Sequence, residues 1–345
     1  MARLRVAIVG AGAIGGTVGA YLLRAGHDVT FVDRVAEHVA AIRDRGLRIV
    51  GPIDELEVRA PAYLPQDVPG EFERVFMCVK ANATRAAAET TLPFLADNGY
   101  VLSLQNGLNE LVLSEVVGAE RVIGCFVNFG ADYQEPGLIH YGGRGALVVG
   151  ELGGSVTPRV TELFEALKAF EPDVKLTENI WGYLWSKLAV GAMITATALT
   201  DDGIADCYAM PEYRATFAAI AREVLSVAEA IGVRPEPFDG FEPAAFAADS
   251  SRSVTEASLD DMVAFNRRSA KTHSGVWRDL AVRKRPTEIP DQLGPIVQRA
   301  ASAGMKTPLL DTVLDILARV ESGKTPRSRD NLREIDQVRT REAAL

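Results

Sequence analysis

The first fifteen residues restrict the fold more than any other part of the chain. Leu4 to Val9 is a short apolar run rich in β-branched residues, and it ends on Gly10-Ala11-Gly12-Ala13-Ile14-Gly15. An apolar run without polar alternation predicts a strand buried on both faces. The three glycines have the G-x-G-x-x-G spacing of a dinucleotide-binding turn. The first permits a tight strand-to-helix turn, the second lets backbone approach a pyrophosphate, and the third lets helix and strand pack closely. A helix opening there offers unpaired N–H groups and partial positive charge to phosphates. The spacing alone is a weak signal, so its context decides. Thr17 to Ala25 predicts a helix stopped by Gly26, and Asp28 to Val32 predicts a second strand ending in Asp33.

The alternation continues. Ala36 to Arg45 predicts a helix, and Leu47 to Val50 and Leu56 to Ala60 predict strands around a Gly51-Pro52 turn. Arg74 to Val79, Tyr100 to Leu104 and Arg121 to Cys125 predict buried strands, with a helix over Ala83 to Leu95. Strands alternating with helices imply a mostly parallel sheet covered on both faces. Phe126 to Ala131, Leu138 to Tyr141 and Ala146 to Val149 predict an antiparallel addition to that sheet. Beyond Val156 the pattern is helical, with helices expected over 157–169, 178–198, 210–231, 242–248, 254–268, 290–303 and 308–321. Glu171-Pro172-Asp173 suggests a linker, and 324–345 a charged helical or frayed tail. The expected class is α/β, with an N-terminal Rossmann-type parallel sheet (1–176) and a C-terminal all-helical domain (177–345) for substrate binding and dimerisation.

With 345 residues, more than one core is expected. A net charge of −9 argues against nucleic acid as a partner, because phosphate backbones select basic surfaces. No apolar run is long enough to suggest a membrane span. Cys78, Cys125 and Cys207 lack metal-type spacing, and no metal site is expected. They fit reduced, buried thiols, so a cytoplasmic location is expected.

Asp33 stands where an acid accepts hydrogen bonds from the adenosine ribose, which favours NAD(H). Arg34 follows at once and suits a 2′-phosphate, which favours NADP(H). The two signals conflict, and the sequence leaves the choice open.

Several segments in order resemble one family, the ketopantoate reductases (2-dehydropantoate 2-reductases). They are Gly10 to Gly16, Val79-Lys80, Leu104-Gln105-Asn106-Gly107, Pro136 to His140, Val149-Gly150-Glu151, Trp185 to Val190, and Arg285 to Ile289. The resemblance covers nearly the whole chain. It implies a Rossmann domain joined to a helical domain, NADP(H) as cofactor, a 2-oxo acid as substrate and a homodimer. It also implies roles. Lys187 matches the general acid, which needs a pKa lowered by partial burial to serve near neutrality. Glu288 matches the family's active-site glutamate, and it also suits a helix start. Asn106 matches a residue between cofactor and substrate, in an Asn-Gly pair that also favours a turn. Lys80 matches a cofactor-loop lysine. Ser274 lies near a serine that holds the substrate carboxylate, although His273 or Gly275 are alternatives because one extra residue precedes Glu288.

The chain departs from the family at two positions. Asparagines typically follow the lysine four and eight residues later, on one helix face. Here Gly191 and Thr195 stand there. The departure implies a substrate bulkier than ketopantoate or differently substituted. Two rivals remain: a dehydrogenase of another hydroxy acid or alcohol on the same scaffold, and a cofactor-binding sensor without turnover.

Overall fold

The computed structural model describes residues 3–268 and 272–344. The chain divides into two compact units, Met1–Ile180 and Trp181–Leu345.

The first unit contains β1 (Arg5–Val9), α1 (Ala13–Arg24), β2 (Asp28–Val32), α2 (Ala36–Arg45), β3 (Leu47–Val50), β4 (Leu56–Val58), β5 (Ala62–Tyr63) and β6 (Phe72–Met77). It continues with α3 (Thr84–Thr91), β7 (Leu95–Ser103), α4 (Asn109–Val117), β8 (Val122–Val127), β9 (Gly130–Glu135), β10 (Leu138–Gly143), β11 (Leu147–Glu151), α5 (Pro158–Leu167) and β12 (Lys175–Leu176). Among the described residues the main sheet has eight strands in the order β12-β11-β8-β7-β6-β1-β2-β5. The pairs from β8 through β5 are parallel, and β11 runs antiparallel to β8.

The apolar run that opens the chain behaves as its composition requires. Val6 and Ile8 enter the core on one face of the sheet, and Ala7 and Val9 enter the core on the other. Burial on both faces explains why the segment shows no polar alternation. Winding reverses at β1, since β2 and β5 lie on one side of it and β6, β7 and β8 on the other. Open α/β sheets bind ligands at such a reversal, outside the carboxyl ends of the strands.

The antiparallel addition differs from its expected form. β8 runs through Phe126, so no new strand begins there, and only β11 joins the main sheet antiparallel. β9 and β10 pair instead with β3 and β4 in a second sheet of order β4-β3-β10-β9. The helix expected over Ala83 to Leu95 is shorter. After α3 a 3-10 turn over Leu92–Phe94 contains Pro93, which has no N–H for a longer ladder, and β7 follows at once. α4 was not anticipated. Glu171-Pro172-Asp173 is not a linker but a turn inside the first unit, closed by the Val174 N–H to the Glu171 carbonyl at 3.0 Å.

The helical unit comprises α6 (Ile180–Ala198, beginning at the last residue of the first unit), α7 (Ile204–Ala209), α8 (Arg214–Ala230), α9 (Arg252–Arg268), α10 (Gly275–Arg278), α11 (Ile289–Ser302), α12 (Pro308–Glu321) and α13 (Arg329–Glu342). The helix expected over 210–231 begins at Arg214, and α7 precedes it as a separate short element. The helix expected over 242–248 is a 3-10 turn, Pro243–Phe246. α8 anchors α12 through hydrogen bonds. The Glu223 carboxylate accepts the N–H groups of Leu309 and Leu310, at 3.1 and 2.8 Å, and so caps the start of α12. The charged tail folds as α13, with buried Leu332 and Ile335 on its inner face.

Candidate functional site

Four neighbouring parallel strands end in the loops that carry the sequence-derived candidates of the first unit. β2 runs into Asp33 and Arg34, β1 into the glycine loop, β6 into Cys78-Val79-Lys80, and β7 into Leu104 to Gly107. Backbone bonds carry the ladder past the strand ends: Gly10 N–H to Val32 O at 2.8 Å, Cys78 N–H to Val9 O at 2.8 Å, and Leu104 N–H to Met77 O at 2.9 Å. The four loops therefore stand side by side, about 14 Å across at the usual interstrand spacing.

Each glycine of the first loop has a separate physical reason. Gly10 adopts φ +94°, and a Cβ there would lie 2.9 Å from the Cys78–Val79 backbone. A Cβ on Gly15 would stand 2.1 Å from the Gly10 carbonyl oxygen and 2.8 Å from Ile8 Cγ2, so the close approach of α1 to β1 requires glycine. Gly12 is different: a Cβ there would meet nothing within 4 Å. Protein packing does not require a glycine at Gly12, whereas backbone contact with a bound group would. Gly12 is also the N-cap of α1 and supplies no side-chain bond to the helix's first N–H groups. A surface of backbone donors at a helix start, with open space above it, fits a dinucleotide pyrophosphate.

Ala11 within this loop is pinned on both sides. Its N–H donates to Asp33 Oδ2 at 2.9 Å, while Asp33 Oδ1 accepts the Val35 N–H at 2.9 Å. Its carbonyl meets His38 Nε2 at 2.8 Å. The other ring nitrogen, Nδ1, accepts the Gly137 N–H at 3.0 Å, so Nε2 is the donor to the Ala11 carbonyl. His38 is 1% exposed and links the glycine loop to the β9–β10 hairpin. Sequence reasoning missed it, because its second partner lies 99 residues away. Near the same edge, burial first and then the carboxylates of Asp33, Glu37 and Glu135 raise the pKa of the Tyr133 phenol. Arg34 is exposed.

At the other end of the row, Lys80 and Asn106 are both exposed, and Gly107 turns the chain with φ +104°. The Asn106 carbonyl accepts Asn109 Nδ2 at 2.6 Å.

In the helical unit, α6 carries Lys187. From Tyr183 to Ile194 along this helix Tyr183, Lys187, Val190, Gly191 and Ile194 are only partly buried, whereas Leu184, Trp185, Ser186, Leu188, Ala189, Ala192 and Met193 are buried. The first set follows i, i+4, i+7, i+8, i+11, which is a single stripe of an α-helix. Gly191 lies one turn from Lys187 on that stripe, and a Cβ there would meet nothing within 4 Å. Helix packing therefore does not explain Gly191. Thr195 does not extend the stripe. It is fully buried, and its hydroxyl donates to the Gly191 carbonyl at 2.8 Å.

Glu288 is the N-cap residue of α11 and partly buried, but its side chain does not bond the helix's first N–H groups. That task is separate from the neighbouring anchor, where Thr287 N–H and Oγ1 both donate to Glu321 at 2.8 Å. Ser274 caps α10, its Oγ accepting the Trp277 N–H at 3.1 Å, and it is 8% exposed. His273 packs against Trp277 with ring centres 4.0 Å apart and planes tilted by 35°. Among the described residues no cluster of His, Cys, Asp and Glu could hold a metal ion.

The chain matches known proteins in sequence and in fold. Residues 6–154 match the model of the ketopantoate reductase PanE/ApbA family, and residues 179–321 match that of the ketopantoate reductase PanE/ApbA C-terminal domain. The 2-dehydropantoate 2-reductase of Archaeoglobus fulgidus is 31% identical over 322 residues, covering 92% of this chain and 98% of that protein. The crystal structure of a PanE/ApbA family ketopantoate reductase from Ralstonia eutropha superposes with a TM-score of 0.77 at 27% identity, covering 93% of this chain and 99% of that one. A ternary structure of D-mandelate dehydrogenase with NADH and anilino(oxo)acetate shares the fold, with a TM-score of 0.80 at 23% identity over 93% of this chain and 99% of that one. This chain belongs to the ketopantoate reductase family and is an oxidoreductase of that family.

Proposed function

We propose that the chain interconverts a 2-oxo acid bulkier than ketopantoate with its hydroxy acid, using a nicotinamide dinucleotide and Lys187 as the acid/base. The observation that carries this reading is the open space above Gly191, one helical turn from Lys187. Where the family resemblance implies an asparagine amide facing the substrate, this chain leaves room for substrate.

The cofactor, when bound, supplies or accepts a hydride. The Gly12–Ile14 backbone would hold its pyrophosphate, Asp33 its adenosine ribose, and Lys80 and Asn106 its nicotinamide end. Lys187 gives a proton to the carbonyl oxygen as negative charge develops there, and takes it back in the oxidative direction. Glu288 orients Lys187 or holds a substrate hydroxyl, and Ser274 binds the substrate carboxylate. Thr195 is left out of the substrate contacts, because its hydroxyl is spent on the helix.

NAD(H) is the better-supported cofactor. The Asp33 carboxylate cannot turn away without orphaning the Ala11 and Val35 N–H groups, and a 2′-phosphate would meet it beside Glu37 and Glu135. A homodimer through the helical unit belongs to the same reading. Its support is that Val254 and Phe265, eleven residues apart on α9 and so on one face, are about half exposed (51% and 45%). The unpaired thiols support a cytoplasmic location. The test is a panel of 2-oxo acids reduced with NADH and NADPH. Faster turnover of branched or aromatic 2-oxo acids than of ketopantoate is expected, and ketopantoate as the best substrate would refute the size argument.

A further inference from the structure

Beneath the Lys80 and Asn106 loops lies a continuous chain of buried polar side chains. Gln105 Nε2 donates to the Val79 carbonyl at 2.9 Å and to Thr84 Oγ1 at 2.7 Å. Thr84 Oγ1 donates onward to Asn109 Oδ1 at 2.8 Å. Asn109 Nδ2 then donates to the Asn106 carbonyl at 2.6 Å. Thr84, Gln105 and Asn109 are 1%, 4% and 4% exposed. These residues sit at three different places: the start of α3, the end of β7 and the start of α4. A buried amide or hydroxyl is costly unless bonded, so three of them in one relay fix a geometry that a looser arrangement would forfeit.

The relay has two ends, and both matter. One is the carbonyl of Val79, which directly precedes Lys80. The other is the carbonyl of Asn106 itself. No member reaches the exposed edge, so none is placed to touch a ligand. We infer that Thr84, Gln105 and Asn109 are positioning residues that lock the Lys80 and Asn106 loops to each other and thereby shape the nicotinamide end of the cofactor site. The inference rests on the cofactor reading above. Thr84 is the pivot, because its one hydroxyl both accepts and donates.

The test uses the full chain with Thr84→Val, which keeps the shape and removes the hydroxyl, and Thr84→Ser, which restores it. Binding of NADH is compared with binding of ADP-ribose, which lacks the nicotinamide and needs only the glycine loop and Asp33. Losing both bonds of the Thr84 hydroxyl is expected to weaken NADH by about tenfold in Thr84→Val, the equivalent of roughly 1.4 kcal/mol. ADP-ribose affinity should stay within about twofold of the parent, and Thr84→Ser should recover NADH binding. Hydrogen exchange of the 104–109 amides should quicken in Thr84→Val alone. If Thr84→Val fails to fold, Gln105→Met cuts the relay at its other end and should give the same split. Equal loss of NADH and ADP-ribose, or loss of neither, overturns the relay. A parent protein that binds neither NADH nor NADPH overturns the cofactor reading itself and the relay's role with it.

Discussion

The Ala11 N–H donates to Asp33 Oδ2 while the Ala11 carbonyl is bonded by His38 Nε2, so the two successive peptides of the glycine loop that flank Ala11 are both held. Asp33 thereby has a fixed orientation. On the proposed cofactor reading it would face the ribose 2′-position, and turning away to make room for a phosphate would orphan the Ala11 and Val35 N–H groups. The parent protein is expected to bind NADH about tenfold or more tightly than NADPH, a difference of roughly 1.4 kcal/mol. Asp33→Ala should weaken NADH and narrow that ratio, read by quenching of nicotinamide fluorescence. Tighter NADPH binding by the parent would contradict the argument.

His38 supports the same residue, Ala11, from the hairpin side. His38→Phe keeps an aromatic ring but orphans the Ala11 carbonyl and the Gly137 N–H, both buried. A loss of about 1–3 kcal/mol of stability is expected, with weaker binding of both NADH and ADP-ribose. Denaturant melts and fluorescence titrations check the two effects separately. An unchanged melt would show that the clamp carries no energy.

A third prediction concerns Glu110 on α4. It is fully buried, and neither carboxylate oxygen has a hydrogen-bond partner among the described residues. Burial pushes its pKa up to about 7. A raised folded-state pKa means that the native protein holds the proton more tightly than the unfolded chain. Glu110 therefore costs stability progressively as pH rises from the ordinary carboxylate range to about 7, and the full cost applies above that. Glu110→Met should raise Tm at pH 8 by several degrees more than at pH 5. An equal change at both pH values would show that the carboxyl is not the cause.

Gly191→Asn tests the substrate argument directly. The space around a Cβ is open, and glycine is the poorer helix former, so folding should be unharmed or improved by roughly 0.3 kcal/mol. Activity should move toward ketopantoate and away from larger 2-oxo acids, measured as the ratio of kcat/KM values. A well-folded variant with an unchanged ratio would detach Gly191 from specificity.

How much of this was legible beforehand follows from the range of each interaction. The glycine loop was legible because its causes are local: a doubly buried strand, a positive φ at Gly10, and close helix packing at Gly15. Lys187 and Gly191 could be placed on one face from helical spacing alone. The open space at Gly191 could not, since it depends on what packs around α6. His38 was not visible, because a lone histidine in an amphipathic helix gives no sign of a partner 99 positions away. The Thr84–Gln105–Asn109 relay was hidden for the same reason, its members being ordinary polar residues until β6 and β7 bring them together. The second sheet was missed because β3 pairs in parallel with β10, across about ninety residues. Thr195 was grouped with Gly191 by spacing, but its hydroxyl satisfies the helix backbone instead.

The central claim is that Lys187 supplies the proton for a hydride-transfer reaction. Its most direct test is Lys187→Ala assayed with the best 2-oxo acid of the panel, with NADH affinity measured on the same preparation. The account predicts a loss of kcat of about 10²–10⁴-fold with NADH affinity within about twofold of the parent. Turnover at the parent rate in Lys187→Ala would contradict it.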